Sequence, residues 1–262
     1  MCEFEKKGAA SAGSERNGIA PKIEAHEMPA LLTIEVKSGV DKEDGEKMRQ
    51  GFKVMDFYLN EWLGHSITEK SAIRIEAASE DSKFLKENGT FVFYWRTFSS
   101  DWLPTKQNMI KYNIDERTKA AAHEYVHIYQ INKGCAKPLR MGENPRWFLE
   151  GEAEWLSYKA VYEAGISPYP SSLKQYLLYP VRQAGATLKP LQMYEKESHP
   201  GAEYFYFTLA LDLLMKNRDI KTLDDFCANI GKGQDVPVAF QNAFGISLDK
   251  FYEEFEAYRK TW

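Results

Sequence analysis

What this chain lacks removes several classes of protein at once. Its 262 residues carry three cysteines, Cys2, Cys135 and Cys227. They make no metal-type spacing and no even set, so neither a cysteine zinc site nor a disulfide scaffold is indicated. Cys135 and Cys227 read as small core or helix-end residues rather than as a bridge. No apolar run approaches the ~20 residues that a membrane span requires. Positive charge is not in excess either. A net charge of -4 and a pI near 5.8 give no electrostatic footing for nucleic acid or an anionic membrane surface. No internal repeat is present, which sets aside repeat architectures.

What remains has an ordinary globular composition. Hydrophobic residues make up 44% and charged residues 27%, enough for a sizeable core in one domain or two subdomains. Aromatics, at 14%, are somewhat rich and gather at 91–102 and 147–207. Cys2 precedes a Gly/Ala/Ser/Glu/Lys-rich tract, and residues 1–28 read as a disordered tether. A cysteine followed by such a tether resembles the mature end of a bacterial lipoprotein, with Met1 standing where a signal peptide has been removed. A cell-envelope lipoprotein or a secreted bacterial protein is therefore expected over a cytoplasmic one, with Cys2 as the lipid-anchor candidate.

Residues 29–262 read as one domain, sheet-containing to about residue 134 and helical from 135. Leu31–Val36 alternates and is β-branched, which predicts a strand. Asp41 opens an amphipathic helix to about Leu63. Ala72–Ala77 alternates again, Thr90–Trp95 is aromatic and β-rich, and Met109–Tyr112 is a short strand candidate. From Asp115 onward almost everything reads as helix, interrupted by Gly and Pro at 142–145, 165–170 and 185–190. Strands followed by helices predict an α+β fold, a small mixed N-terminal sheet with a mostly helical C-terminal part.

The chemistry starts at His123-Glu124-Tyr125-Val126-His127. Two histidines four apart share one face of a helix and can reach a single zinc ion. Glu124 stands beside them, placed to take a proton from a water that the metal activates. Composition alone produces such a match in about one chain in a hundred, so the flanks decide. Asp115 can cap a helix start, Glu116 suits its first turn, and Gly134 is a C-terminal stop. Residues 115–132 therefore read as one helix.

Two histidines leave a tetrahedral zinc short of a ligand, usually a carboxylate in sites of this kind. Pro145 introduces a second helical run, Arg146-Trp147-Phe148-Leu149-Glu150-Gly151-Glu152-Ala153-Glu154-Trp155. Glu150 follows His127 at a distance that lets one helix end and another return, and it is the ligand candidate. Glu154 lies one turn further on the same face, where it could hold the free ring N–H of His123. Glu152 points about 200° away from Glu150 at ~100° per residue and is the poorer ligand. Trp147, Phe148 and Trp155 argue against a solvated helix.

The pairing of HEYVH with WFLEGEAEW resembles the gluzincin metallopeptidases, whose third ligand lies in a W-x-x-E-G-x-A-E-(aromatic) element. Trp147, Glu150, Gly151, Ala153, Glu154 and Trp155 match it, with Glu150 on the ligand position. The chain is most similar to the small bacterial proteins called peptidase MA-like, and HEYVH is locally similar to bacterial collagenases. The likeness runs from about residue 30 and takes in an early strand and helix, a late Tyr-rich helix and a Phe-Gly-x-Ser-Leu segment at 244–248. It implies a thermolysin-like fold with the zinc-binding helix at the seam. It also implies one Zn2+ per chain on His123, His127 and Glu150, and a peptide or protein substrate hydrolysed with Glu124 as base. The G-x-M-E-N segment by which aminopeptidases of this group grip a free amine is missing before His123, so aminopeptidase specificity is not implied.

A donor facing the zinc should meet charge on the carbonyl oxygen. In gluzincins a tyrosine or histidine of the helical half fills that role. Tyr204 is the best match to the family helix, followed by His199 and Tyr206. Two readings from other classes stand beside the enzyme. One is an inactive metallopeptidase-like binding protein, and the other an interaction module using the aromatic stretches at 91–102 and 169–179.

Overall fold

The computed structural model describes residues 22–78, 83–95, 115–136, 145–166, 171–185, 188–194 and 203–262. The described residues divide into two compact units, one within 22–125 and 157–166, the other within 126–156 and 171–262. The strands lie in the first half of the chain, with one long helix between the first two, and helices follow, in the mixed α+β class that the pattern predicts.

The first unit holds a four-stranded mixed sheet in the order β1 (Leu32–Val36), β2 (Ser71–Ala77), β4 (Thr90–Trp95), β3 (Lys83–Glu87). β1 pairs parallel with β2 and β2 with β4, while β3 pairs antiparallel with β4. Parallel neighbours require a crossover, which α1 (Lys42–Leu63) supplies between β1 and β2. The Asp41 side chain accepts from the backbone N–H groups of Glu43 and Asp44 to start α1, and Gly64, at φ 76°, ends it. Strand β3 was not foreseen. Asn88 and Gly89, both at positive φ, make the two-residue turn that sets Glu87 opposite Thr90. Phe91, Phe93 and Trp95 are buried, so this part of the aromatic excess fills the core rather than a binding surface.

Helix α1 packs on the first half of α2 (Glu116–Lys133), which carries HEYVH. Asp115 starts α2 by accepting from the backbone of Arg117 and Thr118. A Cβ on Gly51 of α1 would sit 2.1 Å from the Thr118 carbonyl oxygen, so the contact admits only glycine. Asp44 joins three elements, accepting from Trp95 Nε1 at 2.8 Å and Arg117 Nη1 at 3.0 Å. Asp56, fully buried, accepts from the Tyr125 hydroxyl and lies 2.5 Å from His26 Nε2. The fold therefore starts before residue 29. Residues 22–25 form a helical turn, and Ile23 is buried. Met109–Tyr112 lies outside the described residues.

The second unit is helical. It takes α2 from Val126, α3 (Arg146–Glu163) as far as Leu156, α4 (Ser171–Ala184), a 3-10 turn (Leu191–Tyr194), α5 (Glu203–Leu214), α6 (Lys221–Gly231), α7 (Val236–Phe244) and α8 (Leu248–Arg259). Aromatic packing dominates its core. Trp147 stacks on Phe251 with centroids 5.5 Å apart and donates from Nε1 to the Tyr252 hydroxyl at 3.0 Å. Gly245, at φ 70°, ends α7, and the Ser247 side chain caps α8, which gives Phe-Gly-x-Ser-Leu a physical reading as one stop and one start. No helix among the described residues is long and apolar enough to cross a membrane.

One expectation is overturned here. Gly134 turns the chain at the end of α2 with φ 81°, and a Cβ on Gly231 would lie 2.3 Å from the Lys133 carbonyl oxygen. That approach of α6 brings Cys135 and Cys227 into a disulfide. Their separation of 92 residues hides the pairing from any local pattern. A bridge closing a loop of that size should add about 4–5 kcal/mol of stability. Urea unfolding with and without a reductant should show that loss. Labelling of Cys135 or Cys227 by a thiol reagent in the native, unreduced protein would contradict the bridge.

Candidate metal centre

His123 and His127 project one turn apart from α2. Around them Ala121, Ala122, Tyr125, Val126, Ile128 and Tyr129 are all buried, so packing sets the direction of both imidazoles. Tyr125 is tied to Asp56, and the Tyr129 hydroxyl donates to Asp224, which also lies 2.9 Å from Lys133 Nζ. Helix α3 starts after Pro145, whose carbonyl accepts from Phe148 and Leu149, and Glu150 sits in its second turn. The glycine that follows is needed for a close approach. A Cβ on Gly151 would lie 2.6 Å from Leu211 Cδ2 and 2.8 Å from the Phe207 carbonyl oxygen, both on α5.

One ligand atom from each of His123, His127 and Glu150 lies within 4.8 Å of the other two. His127 Nε2 and Glu150 Oε2 are 3.3 Å apart. A tetrahedral zinc with bonds of ~2.0–2.1 Å has ligand–ligand edges of about 3.3–3.4 Å, so this pair fits one edge. Two imidazoles and a carboxylate also suit zinc chemically. His123 is buried, while His127 and Glu150 are half-buried, an arrangement open enough to admit a further ligand.

Glu124 is half-buried beside His123. Tyr204 lies in the first turn of α5, and its hydroxyl is 3.5 Å from Arg146 Nη2. The same nitrogen stands 3.2 Å from Glu150 Oε1, so Arg146 lies between the Glu150 carboxylate and the Tyr204 hydroxyl. Glu154 is buried one turn beyond Glu150. His199 lies outside the described residues. Tyr206 is placed elsewhere, contrary to its ranking from sequence. It is fully buried and donates to the Lys189 carbonyl at 3.2 Å and to Glu256 Oε1 at 3.1 Å. Burial and Glu256 push its phenol well above the usual range, and it serves packing.

Sequence reasoning assigned no role to Gln130 or Arg146, and it placed Glu152 only as a poorer ligand than Glu150. Gln130, fully buried, contacts His127 Nδ1 at 2.8 Å, the Leu149 carbonyl at 2.9 Å and Glu152 Oε2 at 2.9 Å. Glu152 does point away from Glu150, but into the protein, where it is fully buried. The one available signal was polar residues set among apolar neighbours on two core helices. Cys135, Glu152 and Cys227 form a second group with ligand atoms within 4.8 Å, but its sulfurs are bonded to each other and cannot act as thiolate ligands.

No protein-family model matches the chain, and no curated protein matches it. The likeness to gluzincins rests on the motif residues themselves.

Burial pushes the Glu152 carboxyl up to about 8 from its usual 4.5, against the Gln130 hydrogen bond and the charge of His127, which both pull it down. The folded chain therefore keeps a proton that the unfolded chain releases. This contribution to stability is complete below the unfolded value and is lost as pH rises through about 8. In metal-free protein, wild type should lose stability relative to Glu152→Gln between about pH 5 and about pH 9, read from urea midpoints. A difference that stays constant over that range would contradict a buried neutral acid.

Proposed function

We propose that this chain is a zinc-dependent peptidase of the gluzincin type. The observation that supports it most is the convergence of His123, His127 and Glu150 donor atoms within 4.8 Å, with Glu124 next to the first of them. Those three side chains would hold the ion. Zinc, when bound, supplies positive charge that acidifies a water molecule and polarises the scissile carbonyl. The Glu124 carboxylate takes the proton from that water as its oxygen attacks the peptide carbon. It then carries the proton to the leaving amine nitrogen. Tyr204 is the donor for negative charge that develops on the carbonyl oxygen, and Arg146 holds its hydroxyl beside Glu150. The substrate class is a peptide or protein, and nothing before His123 matches the G-x-M-E-N segment of aminopeptidases.

Glu124→Gln separates metal binding from chemistry. The variant should keep wild-type zinc content while hydrolysis of a fluorogenic peptide library falls by ~10²–10⁴-fold, the usual share of general acid–base catalysis. Full turnover in the Gln variant would remove Glu124 as the base. Wild-type protein that carries zinc yet cleaves nothing in a broad library would instead support a binding protein.

A further inference from the structure

We infer that Gln130, steered by Glu152, is a positioning residue that sets the tautomer and direction of His127; the inference deepens the zinc-peptidase reading and rests on it. The orientation of a glutamine amide is settled by its partners. The Leu149 carbonyl oxygen can only accept, and it lies 2.9 Å from Gln130 Nε2. Glu152 Oε2 lies 2.9 Å from the same nitrogen. These two acceptors use both hydrogens of the NH₂ group. A flipped amide would press its oxygen against the Leu149 oxygen. Gln130 Oε1 therefore faces His127 Nδ1, 2.8 Å away, and that oxygen can only accept. Nδ1 carries the hydrogen, and Nε2 is left with its lone pair.

That lone pair points at Glu150 Oε2 across 3.3 Å. A metal ion bound to both atoms fits that spacing. Because Leu149 precedes Glu150, the amide that sets His127 also holds the start of the turn that presents the third ligand. Glu152 is fully buried, and Cys227 Sγ of the disulfide lies 3.9 Å from the same oxygen, Oε2, that meets Gln130. The oxygen opposite, Oε1, meets no hydrogen-bond partner among the described residues, so Gln130 is what that carboxyl is there to orient.

Two measurements test this on the full chain. In metal-free wild-type protein, ¹⁵N shifts of His127, at a pH where the ring is neutral, should report hydrogen on Nδ1. Hydrogen on Nε2 would overturn the inference whether or not zinc binds. In the second, chelator competition and the visible spectrum of the cobalt(II) form are read for Gln130→Met, Glu152→Met and Glu152→Gln. Metal affinity should fall ~10–100-fold in the two Met variants, the usual effect of losing a partner behind a ligating histidine, with a changed cobalt spectrum. Glu152→Gln, which keeps an acceptor oxygen for Gln130, should remain near wild type. Wild-type affinity and spectrum in Gln130→Met would overturn the inference. Failure of wild-type protein to bind either metal would defeat the zinc reading instead, leaving the ¹⁵N result to judge the tautomer.

Discussion

The register between the helices that carry HEYVH and Glu150 depends on the side-chain amide of Gln130. Its Nε2 spans from α2 to a backbone carbonyl and a buried carboxyl of α3, while its oxygen meets His127. A slip of either helix by one residue would strand at least two buried polar groups, each costing about 1–3 kcal/mol. Hydrophobic burial alone would tolerate such a slip more easily, because apolar contacts have no direction. Trp147 and Phe148 are buried against α6, α7 and α8, on Phe226, Phe244, Phe251 and Tyr252. The amide supplies the register, and the histidine–carboxylate distance follows from it.

The same arrangement recurs along α2. Tyr125 and Tyr129 each bury a ring and end on a carboxylate, Asp56 of α1 and Asp224 of α6 respectively. Each of these buried hydrogen bonds opposes rotation of the helix segment that carries it, and so helps fix the direction of the adjacent imidazole. A metal site formed by these residues would tolerate small errors of geometry poorly. The glycines serve the same end. Gly51 and Gly151 let neighbouring helices approach until a Cβ would collide with backbone, and Gly151 does so in the residue next to Glu150.

Local signals were legible in the sequence. Asp41, Asp115, Gly134 and Pro145 mark helix ends by capping chemistry that acts within a few residues, and each stands at a helix end in the structure. The strands β1, β2 and β4 followed from alternation. What stayed hidden depends on distant partners or on weak local patterns. Strand β3 carries charges at Lys83, Lys86 and Glu87, and the Asn88-Gly89 turn was its only strong mark. The Cys135–Cys227 bridge exists because α6 packs on the end of α2. Tyr204 and Tyr206 are alike in sequence, two residues apart on one helix, and only packing separates the one near Glu150 from the one that closes the core with Glu256. Gln130 and Glu152 are polar residues on core helices, and no spacing rule links them.

The central claim is that His123, His127 and Glu150 hold one metal ion. Elemental analysis of protein purified without a metal-affinity tag, wild type beside Glu150→Ala, tests it most directly. The expected result is about one zinc per wild-type chain, as for a three-ligand site, and its loss in the variant with the fold intact by circular dichroism. A wild-type protein without zinc, even after the ion is added back, would contradict it.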